Sequence, residues 1–163
     1  MSTVSACDFV GKKGRVRFWP SSMGGAEDGA SHLQQWIKAM SHRILLLDND
    51  LLVLDNLASQ LDEDGYTVFE AHNTEMALAF MELEKVDLVV VDLGQAGMNG
   101  VDFIHKVRAM WPAVRFFVYS DRPAANFSRN ITTLPGVRTT TVPKNMSSFE
   151  NMSVEIRQLL DEA

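Results

Sequence analysis

The sequence predicts an α/β protein: a five-stranded parallel sheet covered by helices on both faces. From Arg43 onward, short apolar runs alternate regularly with amphipathic stretches of helical period, the pattern of strands joined by crossover helices. The runs ILLL at 44–47 and VDLVVVD at 86–92 are also too apolar for strands with one wet face. Such strands need helices above and below.

The elements follow in order. ILLL is the first strand. Residues 51–64 carry Leu54, Leu57, Ala58 and Leu61 at helical spacing, and Gly65 suits a left-handed cap that ends the helix. YTVFEA at 66–71 is the second strand. Asn73 or Thr74 can cap the helix EMALAFMELEK, and VDLVVVD is the third strand. GVDFIHKVRAMW at 100–111 is a helix stopped by Pro112, and VRFFVYS at 114–120 is the fourth strand. ANFSRNITTLPG at 125–136 holds β-branched residues and a proline where a helix belongs, so a short or irregular segment is expected there. VRTTTV at 137–142 is the fifth strand. SSFENMSVEIRQLLDEA then starts from a serine cap and carries Phe149, Met152, Ile156, Leu159 and Leu160 as its apolar stripe.

Residues 1–40 form an N-terminal extension, distinct from a domain over 41–163. WPSSMGGAEDGAS reads as loop, and SHLQQWIKAM at 31–40 as a short helix. With 163 residues, 46% of them apolar and 22% charged, the chain suits one globular domain rather than a disordered one. No apolar run is long enough to span a bilayer or to form a secretory leader, and the lone Cys7 offers no disulfide partner. A cytoplasmic protein is expected, with no membrane contact. The formal charge of −6 divides into about +2 up to Met40 and about −8 beyond it, which disfavours direct nucleic-acid binding.

Ligands of open parallel sheets sit beyond the carboxyl ends of the strands. The first strand ends in Asp48-Asn49-Asp50, the third in Asp92, the fourth in Ser120, and the fifth runs into Pro143-Lys144. Carboxylates with an amide oxygen suit a hard cation such as Mg²⁺; a hydroxyl and an ammonium suit phosphoryl oxygens. Together they describe phosphoryl transfer to a carboxylate. Each residue also has a structural use: Asp50 can cap the following helix, Asp92 can hold a turn, and Lys144 can be an ordinary surface lysine.

The segments RILLLDND, DLVVVDLGQAGMNG, RFFVYSD and VPKN resemble, in order, the signature segments of the receiver domain of two-component response regulators, over residues 43–161. The resemblance implies a flavodoxin-like (βα)5 fold with strand order 2-1-3-4-5. It implies that Asp92 accepts a phosphoryl group from a histidine kinase or histidine phosphotransfer protein. Asp48, Asn49, Asp92 and the backbone carbonyl of Gly94 would hold Mg²⁺, Ser120 and Lys144 would contact the phosphoryl group, and Ser120 with Thr141 would form the switch. Phosphorylation would then alter homodimerisation or binding of a downstream effector. No enzyme activity is implied beyond accepting the group and hydrolysing it again.

Three departures from that pattern stand out: Asn49 replaces an acid, Gln95-Ala96 replaces the usual Met-Pro, and Thr141 stands where an aromatic is usual. They leave open a receiver that binds partners without phosphorylation. Asp-x-Asp after a strand also opens haloacid-dehalogenase-like phosphohydrolases, with Asp48 as nucleophile, although Asp92 would then have no role. The sequence runs to its last helix, which suits either a stand-alone regulator or the receiver of a longer protein.

Overall fold

The computed structural model describes residues 42–93, 100–120, 129–141 and 146–162. The helix expected over 31–40 lies outside these residues. Within them the elements run β1 (Arg43–Leu47), α1 (Leu51–Glu63), β2 (Thr67–Ala71), α2 (Thr74–Leu83), β3 (Leu88–Asp92), α3 (Gly100–Met110), β4 (Arg115–Ser120), α4 (Arg129–Thr132), β5 (Val137–Thr141) and α5 (Met146–Asp161). All four strand pairings are parallel, and the sheet order is β2-β1-β3-β4-β5. The expected fold class and strand order are both observed.

Strand alternation decides which helix covers which face. Ile44 and Leu46 of β1, Leu88 and Val90 of β3, and Phe117 and Tyr119 of β4 pack against α1 and α5. Their neighbours Leu45, Leu47, Val89, Val91, Phe116 and Val118 pack against α2 and α3. All five residues of β3 are buried, as its unbroken apolar sequence requires. The edge strands β2 and β5 are only partly covered, and they carry the Thr and Glu residues that tolerate water.

The helix ends obey local chemistry. Asp50 is the N-cap of α1: its carboxylate accepts the backbone N–H groups of Leu52 at 3.0 Å and Val53 at 3.4 Å. Asn73 caps α2 by accepting from the Met76 N–H at 2.8 Å. Gly65 takes φ +95°, the Gly65 N–H donates to the Asp62 carbonyl, and the Tyr66 N–H donates to the Leu61 carbonyl. This is a Schellman ending, completed by burial of Tyr66 in the same cluster as Leu61. The last helix departs from expectation: it begins at Met146, so the serines at 147 and 148 lie inside it rather than capping it. The segment after β4 yields only the four-residue α4, in keeping with its β-branched, proline-containing sequence.

Polar ties gather where the strands begin. The Arg43 guanidinium meets Glu84 at 2.6 Å and lies 5.1 Å from the centre of the Phe69 ring, and the Arg43 backbone N–H donates to Asp87. Arg115 donates to the Leu159 carbonyl, Arg138 pairs with Glu162, and Asp64 accepts from Ser153 and pairs with Arg157. Among the described residues no helix is long and apolar enough to cross a membrane.

Two substitutions test these endings by urea denaturation. Gly65→Ala forces a Cβ into the left-handed region and is expected to lower stability by about 1–2 kcal/mol. Asp50→Ala, which strips α1 of its cap, is expected to lower it by about 1 kcal/mol. In both cases the midpoint should fall while the slope stays constant.

Candidate functional site

Every parallel strand points its carboxyl end to the same edge, so the residues finishing β1, β3 and β4 become neighbours. Asp48 follows β1 directly, and its backbone N–H still donates to Ala71 at 3.3 Å, which keeps it in line with the sheet. Its side chain is 3% exposed. Asp92 ends β3 and is wholly buried. Leu47 stands opposite Val91 in the register, so Asp48 and Asp92 are the next pair along, on strands roughly 4.8 Å apart. Both belong to the sheet face that carries Leu46 and Val90.

The DND segment splits its three residues among three jobs. Asp48 points inward, Asn49 is exposed, and Asp50 turns to cap α1. The choice left open for Asp50 is thereby resolved as a cap. Asp48 is firmly held: Oδ1 accepts the Asp50 backbone N–H at 2.8 Å, and Oδ2 accepts the hydroxyl of Tyr119 at 2.5 Å. A carboxylate held by two donors keeps one orientation.

Tyr119 is a site residue that nothing in the linear sequence singles out, because it reads as one more member of an apolar strand. The signal that points to it is alternation. RFFVYS places Tyr119 on the same face as Phe117, facing Asp92 in the register, and a buried tyrosine needs a partner for its hydroxyl. Burial, reinforced by the carboxylates of Asp48, Asp92 and Asp50, raises the phenol pKa far above its ordinary value. Tyr119 therefore stays protonated and acts as a donor.

Ser120 is the last residue of β4, buried, and in register with Thr141 at the end of β5. By alternation it belongs to the face of Phe116 and Val118, opposite to that of Tyr119. Thr141 is exposed on the edge strand. Gly94 and Lys144 lie outside the described residues. The structure thus brings Asp48 and Asp92 together, with Asn49 at the surface beside them and Ser120 one strand over.

This donor set fits a hard divalent cation. Mg²⁺ is typically bound by one or two carboxylates and keeps several waters, and two buried carboxylates on adjacent strands, with an amide oxygen alongside, supply that pattern. Among the described residues there is no group of three or more His, Cys, Asp or Glu side chains that could form an all-protein cage. That excludes there the denser ligand sets of structural zinc.

Comparison with known proteins agrees with this geometry. Residues 44–134 match the response regulator receiver domain family. The KDP operon transcriptional regulatory protein KdpE of Escherichia coli is 33% identical over 79 residues, covering 48% of this chain and 35% of that protein. The chain spans about a third of the length of the curated relatives it matches. Among solved structures, a CheY-like receiver domain protein from Methanospirillum hungatei superposes with a TM-score of 0.65 at 24% identity, covering 74% of this chain and 94% of that one. The response regulator TrrA of Thermotoga maritima, solved with Mg²⁺ and BeF, gives a TM-score of 0.61 at 21% identity, covering 72% and 98%. At these identities the solved structures speak for the fold, and the family match covers the segment that bears Asp48, Asp92 and Ser120. A phosphohydrolase with Asp48 as nucleophile is set aside, since it leaves the buried carboxylate at the centre of the sheet unexplained. The chain belongs to the response regulator receiver domain family, the receiving module of two-component signalling.

Proposed function

We propose that the chain accepts a phosphoryl group on Asp92 from a phosphohistidine donor, either a histidine kinase or a histidine phosphotransfer protein. The observation that carries this reading is the wholly buried carboxylate of Asp92 at the carboxyl end of the central strand, next to the oriented carboxylate of Asp48. Burial strips Asp92 of competing water, and the sheet fixes its direction. An Asp92 oxygen attacks phosphorus, the bond from phosphorus to the imidazole nitrogen breaks, and the ring, protonated on its other nitrogen in the donor, leaves as neutral imidazole.

Asp48, Asp92, Asn49 and the Gly94 carbonyl would hold Mg²⁺. When bound, the cation supplies positive charge against the phosphoryl oxygens, which two carboxylates would otherwise repel. Ser120 would donate its hydroxyl to one of those oxygens, and the Lys144 ammonium would pair with another. Asn49 keeps an oxygen ligand but removes a negative charge, so cation affinity and phosphorylation rate are set lower than an acid would set them. The TrrA structure holds Mg²⁺ and BeF together, which makes the same pair of ligands the natural probe here.

Phosphorylation would bias a two-state equilibrium through Ser120 and its register neighbour Thr141, and so change how the surface of α4 and β5 binds a second copy or a downstream effector. The setting of this chemistry is the cytoplasm, where such donors meet their acceptors.

Incubation with acetyl phosphate and Mg²⁺, read by intact mass, tests the assignment. The parent should gain one phosphoryl group and Asp92→Ala none. An adduct persisting in Asp92→Ala would sink it, and no adduct on either protein would favour a phosphorylation-independent interaction module. Restoring an acid with Asn49→Asp should tighten Mg²⁺ binding by about tenfold and speed adduct formation.

A further inference from the structure

The contact between Tyr119 and Asp48 spans an unusual distance. Asp48 follows β1 and Tyr119 lies in β4, and β3 runs between those strands. Two strand spacings separate their backbones by roughly 10 Å. Asp92 of β3 stands directly opposite Tyr119, and Asp48 is the next residue along the same row. All three side chains belong to one face. To donate to Asp48 Oδ2 at 2.5 Å, the phenol must therefore extend across the position of Asp92. Its hydroxyl thereby approaches Asp48 through the corner between the two carboxylates.

That corner is also where a cation shared by Asp48 and Asp92 would sit. The Asp50 N–H and the Tyr119 hydroxyl differ in how they reach Asp48. The Asp50 N–H approaches from the loop that follows β1, whereas the Tyr119 hydroxyl comes from the side of Asp92. A partner that supports a metal ligand holds it from behind; one that arrives from the metal side takes the metal's place. A phenol O–H directed at a carboxylate neutralises part of its charge, as a cation would more fully.

We propose that Tyr119 is an internal competitor for the divalent cation, its hydroxyl holding Asp48 from the space between the two carboxylates so that cation entry breaks this hydrogen bond. The inference rests on the reading of Asp48 and Asp92 as the cation site. The ring is 2% exposed and packed in the cluster that includes Leu46, Val90, Phe117 and Met152, so the hydroxyl cannot simply withdraw into solvent. The cation must displace a donor that the core keeps in place. Tyr119 thereby sets the Mg²⁺ concentration at which the site fills, an effect added to that of Asn49.

The test is calorimetric titration of the full chain and Tyr119→Phe with Mg²⁺, both checked for native circular dichroism. Removing the hydroxyl should tighten Mg²⁺ binding by roughly tenfold or more, the equivalent of one hydrogen bond to a charged group. In the parent, the near-ultraviolet tyrosine signal should change over the same Mg²⁺ range, and in Tyr119→Phe, where Tyr66 remains as the other tyrosine, that change should vanish. Binding by Tyr119→Phe alone also supports the proposal. Equal or weaker binding in the variant, with the parent binding Mg²⁺, overturns it and leaves the site reading intact. Binding by neither protein overturns both. Should Tyr119→Phe fail to fold, Tyr119→Met, an adaptable apolar filler, is judged by the same criterion.

Discussion

The burial of β3 on both faces governs the rest of the molecule. A strand with no wet side must have a neighbour on each edge and helices above and below, and in a parallel sheet each of those neighbours arrives through its own crossover. The order β2-β1-β3-β4-β5 puts β3 in the middle, and Asp92 with it. As the last residue of the most enclosed strand, it is wholly buried, and a carboxylate can remain charged there only in company that compensates its charge.

Much of the fold was legible because the physics behind it is local. Short apolar runs and amphipathic runs with period near four gave the strands and helices to within a residue or two, and Gly65 announced its left-handed conformation by following the last helical turn. The misreading at 147 and 148 has a physical cause. Serine favours the cap position, but α5 starts at Met146, and the sequence alone does not say which of several polar residues breaks the helix first. The short α4 was foreseeable as a weakness rather than as a particular length.

The site was less legible than the fold. Asp48 and Asp92 could be placed side by side because strand ends of a parallel sheet converge, a rule that needs only the order of elements. The separate duties of Asn49 and Asp50 needed the backbone: only the turn after β1 shows that one side chain faces solvent and the next folds back on α1. Tyr119 needed still more, since its role depends on the register between β3 and β4 and on the reach of a phenol across a whole strand. Register is a long-range property, and short apolar segments do not encode it in any visible way.

The polar ties at the amino ends of the strands have a consequence for how the molecule can change. Arg43 with Glu84, Arg115 with Leu159, Arg138 with Glu162, Asp64 with Ser153 and Arg157, and the Gly65 ending all lie at the pole opposite Asp48 and Asp92. Cohesion and chemistry are thus housed at opposite ends of one sheet, separated by layers of aliphatic side chains. Alterations at one pole should combine with those at the other by simple addition, because distant sites without shared partners seldom couple. Such a division leaves the acidic pole free to diversify while the anchored pole preserves the scaffold, and it gives any rearrangement a fixed base to pivot on.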